Sequence, residues 1–436
     1  METFVTRRAA LKTLLTVSGS IATAPLFAAE PAAQNQTTSH PHVTGKPHKD
    51  LAPLDELTFR FLQAHQVPGT ALAVTRNSQL VYARGFGMAD IQTRRPVEPD
   101  SLFRIASVSK PLTAVAVLQL VEKSKFELKD RIFDILPAKE WLPPKHDQRL
   151  RAITIRQLLH HTAGWDRDKS FDPIGRPREI AKALNKSLPV GPVDVVRYTL
   201  TIPLDFDPGM RYAYSNVGYL LLGRLIAHAS GQPYEAYVKQ HVLGPINVTR
   251  MQLGRAAKGD LAPHEVHYYD SKHREGPAVN GPHLNARVPL VYGGENLEGF
   301  EAHGGWIASA IDLVHFASAF DQPQASKLLK PETIHAMWSR PEGAAGHDAN
   351  GRPSASYYGC GWSVRPVGDM GKANTWHTGL IAGTSSILVR RHDGLNWAVL
   401  FNTEADAAGK VLSDVIDPLI HQAADAVRHW PIQNLD

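Results

Sequence analysis

A serine and a lysine three residues apart, Ser107 and Lys110, are the first side chains whose spacing could do chemistry. Residues three apart share one face of a helix, so the Lys110 amine reaches back over the Ser107 hydroxyl. A serine hydroxyl is a weak nucleophile that needs a base, and a lysine amine serves when burial or nearby positive charge lowers its pKa. The alternative is that Ser107 merely caps the apolar helix that follows.

A second candidate pair lies in Tyr214-Ser215-Asn216, at the start of the helical run Val217 to Ser230. A tyrosine hydroxyl near two cations can relay a proton. The Asn216 side chain can hold a substrate amide and the lysine together. The alternative is structural, with Ser215 or Asn216 capping the helix and Tyr214 packing in the core.

A third candidate is His377-Thr378-Gly379, which comes just before a predicted strand. Glycine lets a substrate lie along the strand edge, and the backbone N–H beyond it can face an oxyanion. The alternative is a strand with a histidine at its tip.

Taken in order, Ser-x-x-Lys, Tyr-x-Asn and His-Thr-Gly resemble the signature of the serine β-lactamase and penicillin-binding-protein superfamily. The segments Ile153 to Gly164, Pro208 to Tyr212 and Gly304 to Trp306 resemble its branch of class C β-lactamases, DD-carboxypeptidases, D-aminopeptidases and esterases. The resemblance extends from about Leu51 to Phe401. It implies an α/β plus α fold, in which an antiparallel sheet flanked by helices carries an inserted all-helical lobe.

The resemblance also implies roles for single residues. Ser107 would be the acylated nucleophile, and Asn216 would orient the substrate amide or ester. Lys110 and Tyr214 would share general-base and general-acid work, in an order that the sequence leaves open. The backbone N–H groups of Ser107 and Leu380 would form the oxyanion hole.

The carboxylate side of the site would be lined by His377, Thr378 and Gly379, with two departures from the family pattern. His377 stands where most lactamases have lysine, and Leu380 stands where Ser or Thr is frequent. An unperturbed histidine has a pKa of about 6.5. We therefore expect weak capture of substrate carboxylates above pH 7 and stronger capture near pH 6, when His377 is charged.

The function predicted from these residues is a serine hydrolase that cleaves an ester or an amide. The leading substrates are a D-amino-acid peptide and a short-chain ester. The alternatives are a true class C-like β-lactamase and a catalytically inactive binding or scaffold protein of the same fold. Arg287 or Arg365 could reach the site and restore carboxylate binding. The partner is a small-molecule or peptide substrate, and the oligomeric state stays open.

The N-terminal region has the pattern of an export signal. Arg7-Arg8 stands in a segment that resembles a twin-arginine signal, and the mostly apolar stretch Leu14 to Phe27 follows. We expect residues 1–29 to be a signal peptide that directs the protein to the periplasm or the medium. Polar residues interrupt the apolar stretch, so it is a poor membrane span. Residues 30–50 are polar and predict a linker.

The elements that must position the site are strands near both ends of the chain and helices between them. Two runs, Ser385 to Arg390 and Asn396 to Phe401, flank Asp393-Gly394, which predicts a hairpin. The termini can then share one sheet. We expect one domain over residues 51–431. Its sheet lobe would cover about 51–105 and 355–431, and its helical lobe about 106–354.

Composition excludes several other functions. The net charge is only +5 on 436 residues, which argues against nucleic-acid binding. Cys360 is the single cysteine, so neither an intramolecular disulfide nor a multi-cysteine metal site is possible. His264-Glu265-Val266-His267 has its second histidine one residue too early for a zinc-protease motif. No cofactor or metal is expected.

Overall fold

The computed structural model describes residues 42–368 and 371–431. The strands in these residues are β1 (Val43–Thr44), β2 (Gly69–Arg76), β3 (Gln79–Asp90), β4 (Arg95–Pro96), β5 (Phe103–Arg104), β6 (Gln252–Leu253), β7 (Glu275–Pro277), β8 (Arg287–Pro289), β9 (Trp306–Ala308), β10 (Tyr357–Tyr358), β11 (Ser363–Val367), β12 (Lys372–Ile381), β13 (Thr384–Arg390) and β14 (Leu395–Phe401). The main sheet is antiparallel and runs β1-β3-β2-β14-β13-β12-β11-β10, with β4 beside β3.

Helices cover both faces of this sheet and fill the middle of the chain. They are α1 (Ala52–His65), α2 (Ser109–Glu122), α3 (Ile132–Ile135), α4 (Ala138–Trp141), α5 (Ile155–Leu159), α6 (Pro177–Ala183), α7 (Pro192–Thr199), α8 (Asn216–Ser230), α9 (Tyr234–Val238), α10 (Leu297–Gly304), α11 (Ala310–Ser318), α12 (Pro331–Met337) and α13 (Leu412–Ala426). Within the described residues, no helix is both long and apolar enough to cross a membrane.

The central strands are buried on both faces, and the alternation of side chains along a strand decides what each face meets. In β2, Leu72 and Val74 pack in one cluster with α1 and α13. Ala71 and Ala73 point the other way, where their small side chains let α11 lie close to β2 and β14. The sheet is thus packed between helices on both faces, and β12, which follows β13 in the sheet, can hold a site in place.

The predicted fold class is confirmed, because an antiparallel sheet flanked by helices carries a mainly helical insertion. The predicted hairpin is present as β13 and β14. Two details of the predicted lobes need correction. The segment 106–354 is not all helical, since it contains β6 to β9. Within it, α11 packs on the main sheet and so belongs with the sheet lobe.

The predicted linker over residues 30–50 also needs correction in the part that the structure describes. Val43–Thr44 pairs with β3, and the Thr44 hydroxyl donates a 2.6 Å hydrogen bond to the Val97 carbonyl. Arg84 Nε donates to the Thr44 carbonyl, also at 2.6 Å. The strand pairing and these two hydrogen bonds give the polar groups of this segment partners in the folded domain. The predicted signal peptide, residues 1–29, lies outside the described residues.

Candidate active site

Ser107 is the middle residue of one 3-10 turn that comes directly before α2. Its neighbour Ala106 has φ +45°, a left-handed conformation that residues other than glycine adopt only when their surroundings hold them there. The Ser386 hydroxyl on β13 donates to the Ile105 carbonyl at 2.8 Å, and the Ser109 hydroxyl donates to the Ala106 carbonyl at 2.7 Å. The nucleophile candidate is therefore fixed to the sheet as well as to the helix.

Gly379 on β12 is required for this close approach of strand and turn. A Cβ at Gly379 would lie 2.2 Å from the Ile105 carbonyl oxygen and 2.3 Å from the Ser386 hydroxyl oxygen. A real side chain cannot occupy that space. The absence of one brings β12, and with it the backbone of Leu380, beside the turn that carries Ser107.

The Lys110 amine lies at the centre of the site with no solvent exposure. Its Nζ makes hydrogen bonds to the Ser107 hydroxyl oxygen at 3.0 Å, to Asn216 Oδ1 at 2.8 Å and to the His303 carbonyl at 2.8 Å. Burial holds the pKa of Lys110 well below its usual value, and the Arg167 charge lowers it further while Asp172 opposes both. A lysine in this environment can accept a proton from Ser107.

Asn216 opens α8, and its neighbour Ser215 is the helix cap, with a side chain that accepts from the Gly218 N–H. The capping role and the chemical role predicted for this segment are therefore both present, on adjacent residues. Both ends of the Asn216 amide are taken by protein groups, because Oδ1 accepts from Lys110 and Nδ2 donates to Asp172 at 2.6 Å. In this structure Asn216 therefore positions the Lys110 amine.

Tyr214 lies between the Lys110 amine and the Arg167 guanidinium. Its ring centroid is 4.8 Å from Lys110 Nζ and 4.6 Å from the guanidinium carbon of Arg167. Burial raises the pKa of Tyr214 above its ordinary value, and a hydrogen bond with Ser107 opposes the shift. The phenol is therefore protonated at neutral pH, so in the resting site it is a proton donor and Lys110 is the better base.

His377 is buried and neutral, which contradicts the expectation that it becomes charged near pH 6. Burial, together with the charge of Lys110, lowers the pKa of His377 to about 3. Its Nδ1 donates to the Thr378 carbonyl at 2.7 Å, so Nε2 must accept the 2.8 Å hydrogen bond from the Tyr358 hydroxyl. The expectation used the pKa of an exposed histidine, and the burial of His377 argues against it.

The two arginines considered from the sequence are engaged elsewhere. Arg287 pairs with Glu275 at 2.7 Å, and Arg365 stacks on Trp376 with 4.9 Å between its guanidinium carbon and the ring centroid. Trp376 and His377 are consecutive on β12 and so point to opposite faces. The arginine that lies at the site is Arg167, in a loop that the sequence motifs did not include.

Sequence reasoning also missed the aromatic wall behind Tyr214. The His161 ring lies 4.3 Å from the Tyr214 ring, 4.5 Å from that of Tyr358 and 5.0 Å from that of Tyr219, centroid to centroid. Its Nδ1 accepts from the Ser215 N–H at 3.1 Å, and burial lowers its pKa. His161 belongs to a segment that carried the family resemblance, but only the fold reveals that it supports the tyrosine.

Within residues 42–368 and 371–431, no group of three or more His, Cys, Asp or Glu side chains is arranged to hold a metal ion. Glu265 of the rejected zinc motif is buried, where its carboxylate accepts from the Tyr268 hydroxyl at 2.7 Å and lies 3.9 Å from Arg104 Nε.

This fold and this arrangement of serine, lysine and tyrosine define a serine hydrolase of the β-lactamase and penicillin-binding-protein type. A family model described as Beta-lactamase matches residues 54–417, and the chain belongs to that family. Penicillin-binding protein 4* of Bacillus subtilis (strain 168) is 27% identical over 360 residues, which cover 79% of this chain and 70% of that protein.

Solved structures of the same fold include enzymes that are described by different activities. D-amino acid amidase from Ochrobactrum anthropi SV3 superposes with a TM-score of 0.64 at 22% identity, covering 86% of this chain and 99% of the amidase chain. EstCE1, a hydrolase with promiscuous acyltransferase activity, gives a TM-score of 0.64 at 20% identity, covering 87% and 99%. At these identities the likeness establishes the fold, and the substrate class has to be inferred from the geometry of the site.

Proposed function

We propose that the protein hydrolyses esters or amides through an acyl-enzyme on Ser107, with Lys110 as the base that activates the serine. The observation that carries the proposal is the 3.0 Å contact between Lys110 Nζ and the Ser107 hydroxyl, made by an amine with no exposure to solvent. A hydroxyl is activated when a base of suitable pKa lies within hydrogen-bonding distance.

The steps follow from these contacts. Ser107 gives its proton to Lys110 as its oxygen bonds to the substrate carbonyl carbon. The carbonyl oxygen takes the negative charge and is stabilised by the backbone N–H groups of Ser107 and Leu380. The carbon–leaving-group bond then breaks, and the leaving group takes a proton delivered through Tyr214. Water then attacks the acyl carbon and gives a proton to Lys110. The bond between that carbon and the Ser107 oxygen breaks, the Ser107 oxygen takes the proton back, and the acid is released.

The proposed substrates are neutral and at least partly apolar. His377 offers no positive charge at physiological pH. Leu380 is 48% exposed and Tyr212, which packs against His161 and Tyr358, is 40% exposed, so both present apolar surface near the site. A short-chain ester and a D-amino-acid amide or peptide fit this description, and the fold shared with a D-amino acid amidase supports the amide class. Export by the Arg7-Arg8 signal remains part of the proposal.

The test combines covalent labelling with a substrate panel. Wild type and Ser107→Ala are incubated with a fluorescent fluorophosphonate, and the labelled peptide is identified by mass spectrometry. Both proteins are then assayed with p-nitrophenyl esters, D-amino-acid amides, a D-Ala-D-Ala peptide and a cephalosporin. We expect labelling at Ser107 in wild type alone, with turnover of a neutral ester or amide. An unlabelled and inactive wild type would favour the scaffold alternative, and preferred turnover of the cephalosporin would favour a β-lactamase.

A further inference from the structure

Asp172 lies just before a short 3-10 helix (Pro173–Gly175), in a segment outside every motif that identified the site. Its Oδ2 accepts a 2.6 Å hydrogen bond from Asn216 Nδ2, and its Oδ1 accepts from the Ile174 N–H at 3.3 Å. We propose that Asp172 is a positioning residue that fixes the orientation of the Asn216 amide and, through it, directs the electron pair of Lys110 at Ser107. This inference rests on the proposed function.

The first step concerns the Asn216 amide, whose two ends differ in hydrogen-bonding character. The oxygen only accepts and the nitrogen only donates, while an ionised carboxylate only accepts. In its ionised form Asp172 therefore requires the NH₂ end to face it, which turns Oδ1 towards Lys110. Burial raises the pKa of Asp172, and the hydrogen bond from Asn216 opposes that shift. The flipped amide would set oxygen against carboxylate and would offer N–H donors to the ammonium form of Lys110. Both contacts are repulsive, so the Asp172 charge selects one orientation.

The second step concerns the amine of Lys110 in its neutral form, which has two N–H donors and one electron pair. The Asn216 Oδ1 and the His303 carbonyl are both acceptors at 2.8 Å, so they take the two hydrogens. The electron pair is then left for the third neighbour, the Ser107 hydroxyl at 3.0 Å. A flipped Asn216 would instead donate to that electron pair and compete with Ser107 for it.

The third step concerns charge. Asp172 raises the pKa of Lys110, and Arg167 lowers it. The other titratable groups that face the amine are uncharged at neutral pH, because burial lowers the pKa of each histidine and raises that of the tyrosine: His161, His303, His377 and Tyr214. Removing the Asp172 charge should therefore lower the pKa of Lys110 as well as free the Asn216 amide.

The test compares three variants by their pH profiles. Asp172→Asn keeps the shape but offers Asn216 an amide that accepts or donates, so the orientation is no longer selected. Asp172→Glu keeps the charge. Asp134→Asn removes one exposed charge on α3, outside the site. Each is assayed for kcat, KM and the pH dependence of kcat/KM with a p-nitrophenyl ester, and for thermal unfolding.

For Asp172→Asn we expect kcat to fall roughly 10- to 100-fold, the range for one hydrogen bond to a charged group, with KM within about threefold of wild type. The acidic limb of the kcat/KM profile should move to lower pH, because Lys110 loses its proton more readily. Asp172→Glu should leave the limb in place, and the control Asp134→Asn should leave both kcat and the limb in place.

An unchanged kcat in Asp172→Asn would overturn the inference. A loss of kcat without movement of the acidic limb would also overturn it, because that pattern is expected of a purely structural residue. If Asp172→Asn unfolds, the limb position in Asp172→Glu decides, and a shifted limb there contradicts the inference. An unlabelled wild-type Ser107 would count against the proposed function instead, so the two failures are distinguishable.

Discussion

The site has two halves, the centre around Lys110 and the part of β12 around His377. They differ in the contacts that surround a buried titratable side chain and in the effect on its pKa. At the centre, the buried Lys110 Nζ lies within 3.0 Å of three oxygen atoms. Burial keeps its pKa well below the usual value, and Asp172 partly opposes that shift. On β12, His377 is equally buried but meets only a tyrosine hydroxyl and a backbone carbonyl, and it is neutral. The site has thus kept a titratable base for the chemistry and has no fixed cation on the side where the family resemblance implies one.

The difference between the two halves of the site is tested most strongly by one substitution in each half. Lys110→Arg should reduce kcat/KM by roughly 10² to 10⁴ or more, because a guanidinium cannot accept a proton near neutral pH. His377→Gln should reduce it much less, on the order of tenfold, since both hydrogen bonds of His377 join neutral groups and no charge is lost. The measurement is steady-state kinetics on a p-nitrophenyl ester. Equal losses in the two variants would refute the division into a chemical centre and a neutral half on β12.

The next largest effect is expected where the two halves touch, at Gly379. Gly379→Ala places a Cβ 2.2 Å from the Ile105 carbonyl oxygen, so β12 must move away from the turn that carries Ser107. We expect the rate of fluorophosphonate labelling to fall on the order of 100-fold, because the oxyanion-hole N–H groups separate. Gly259→Ala is the matched control, since a Cβ there meets no atom within 4 Å. Wild-type labelling of Gly379→Ala would show that the close approach is not needed.

A third prediction concerns the stability of the buried neutral histidines. Burial lowers the pKa of His160 to about 4 and that of His377 to about 3, whereas the unfolded value is about 6.5. The stabilisation is full above pH 6.5 and is lost as the pH falls towards the folded pKa values. From pH 7.5 to pH 5, each such histidine should lower the free energy of unfolding by roughly 2 kcal/mol.

Urea unfolding at the two pH values measures this loss, and His377→Gln should reduce it by about one histidine's share. A stability that stays constant between pH 7.5 and pH 5 would show that these histidines are not held neutral in the folded protein.

How much the sequence could predict differs between the two halves as well. Ser107, Lys110, Tyr214 and Asn216 were predicted because their types and order are local patterns, and the structure brings them together. The neutrality of His377 was not predictable, because burial is a property of the whole fold and no local pattern reports it.

The same reason explains why Arg167 and Asp172 were missed. They lie in a loop between α5 and α6 with no spacing rule, and they reach the site only because that loop folds over α8. The secondary structure also differed in how well it could be predicted from local patterns. The β13–β14 hairpin was predicted from Asp393-Gly394, whereas the pairing of Val43–Thr44 with β3 depends on partners more than forty residues away.

The smallest effect predicted is the pH dependence of charge selectivity. We compare p-nitrophenyl butyrate with p-nitrophenyl succinate, whose acyl chains match except for one carboxylate. With an ordinary pKa of about 6.5, His377 would be roughly three-quarters charged at pH 6 and almost neutral at pH 8, so the ratio of kcat/KM values would change up to about tenfold. With a pKa of about 3, His377 is neutral at both pH values.

We therefore expect butyrate to be the better substrate, with a ratio that stays within about twofold between pH 6 and pH 8. A ratio that narrows towards pH 6 would show that substrate or solvent reaches His377 and restores its charge. A preference for succinate at both pH values would point to a permanent cation instead. Arg167, stacked on Tyr214 and 43% exposed, is the group in position to supply it. Arg167→Gln would then remove the preference. The loop that carries Arg167 would have to be counted as part of the substrate-binding site, which would then not be neutral.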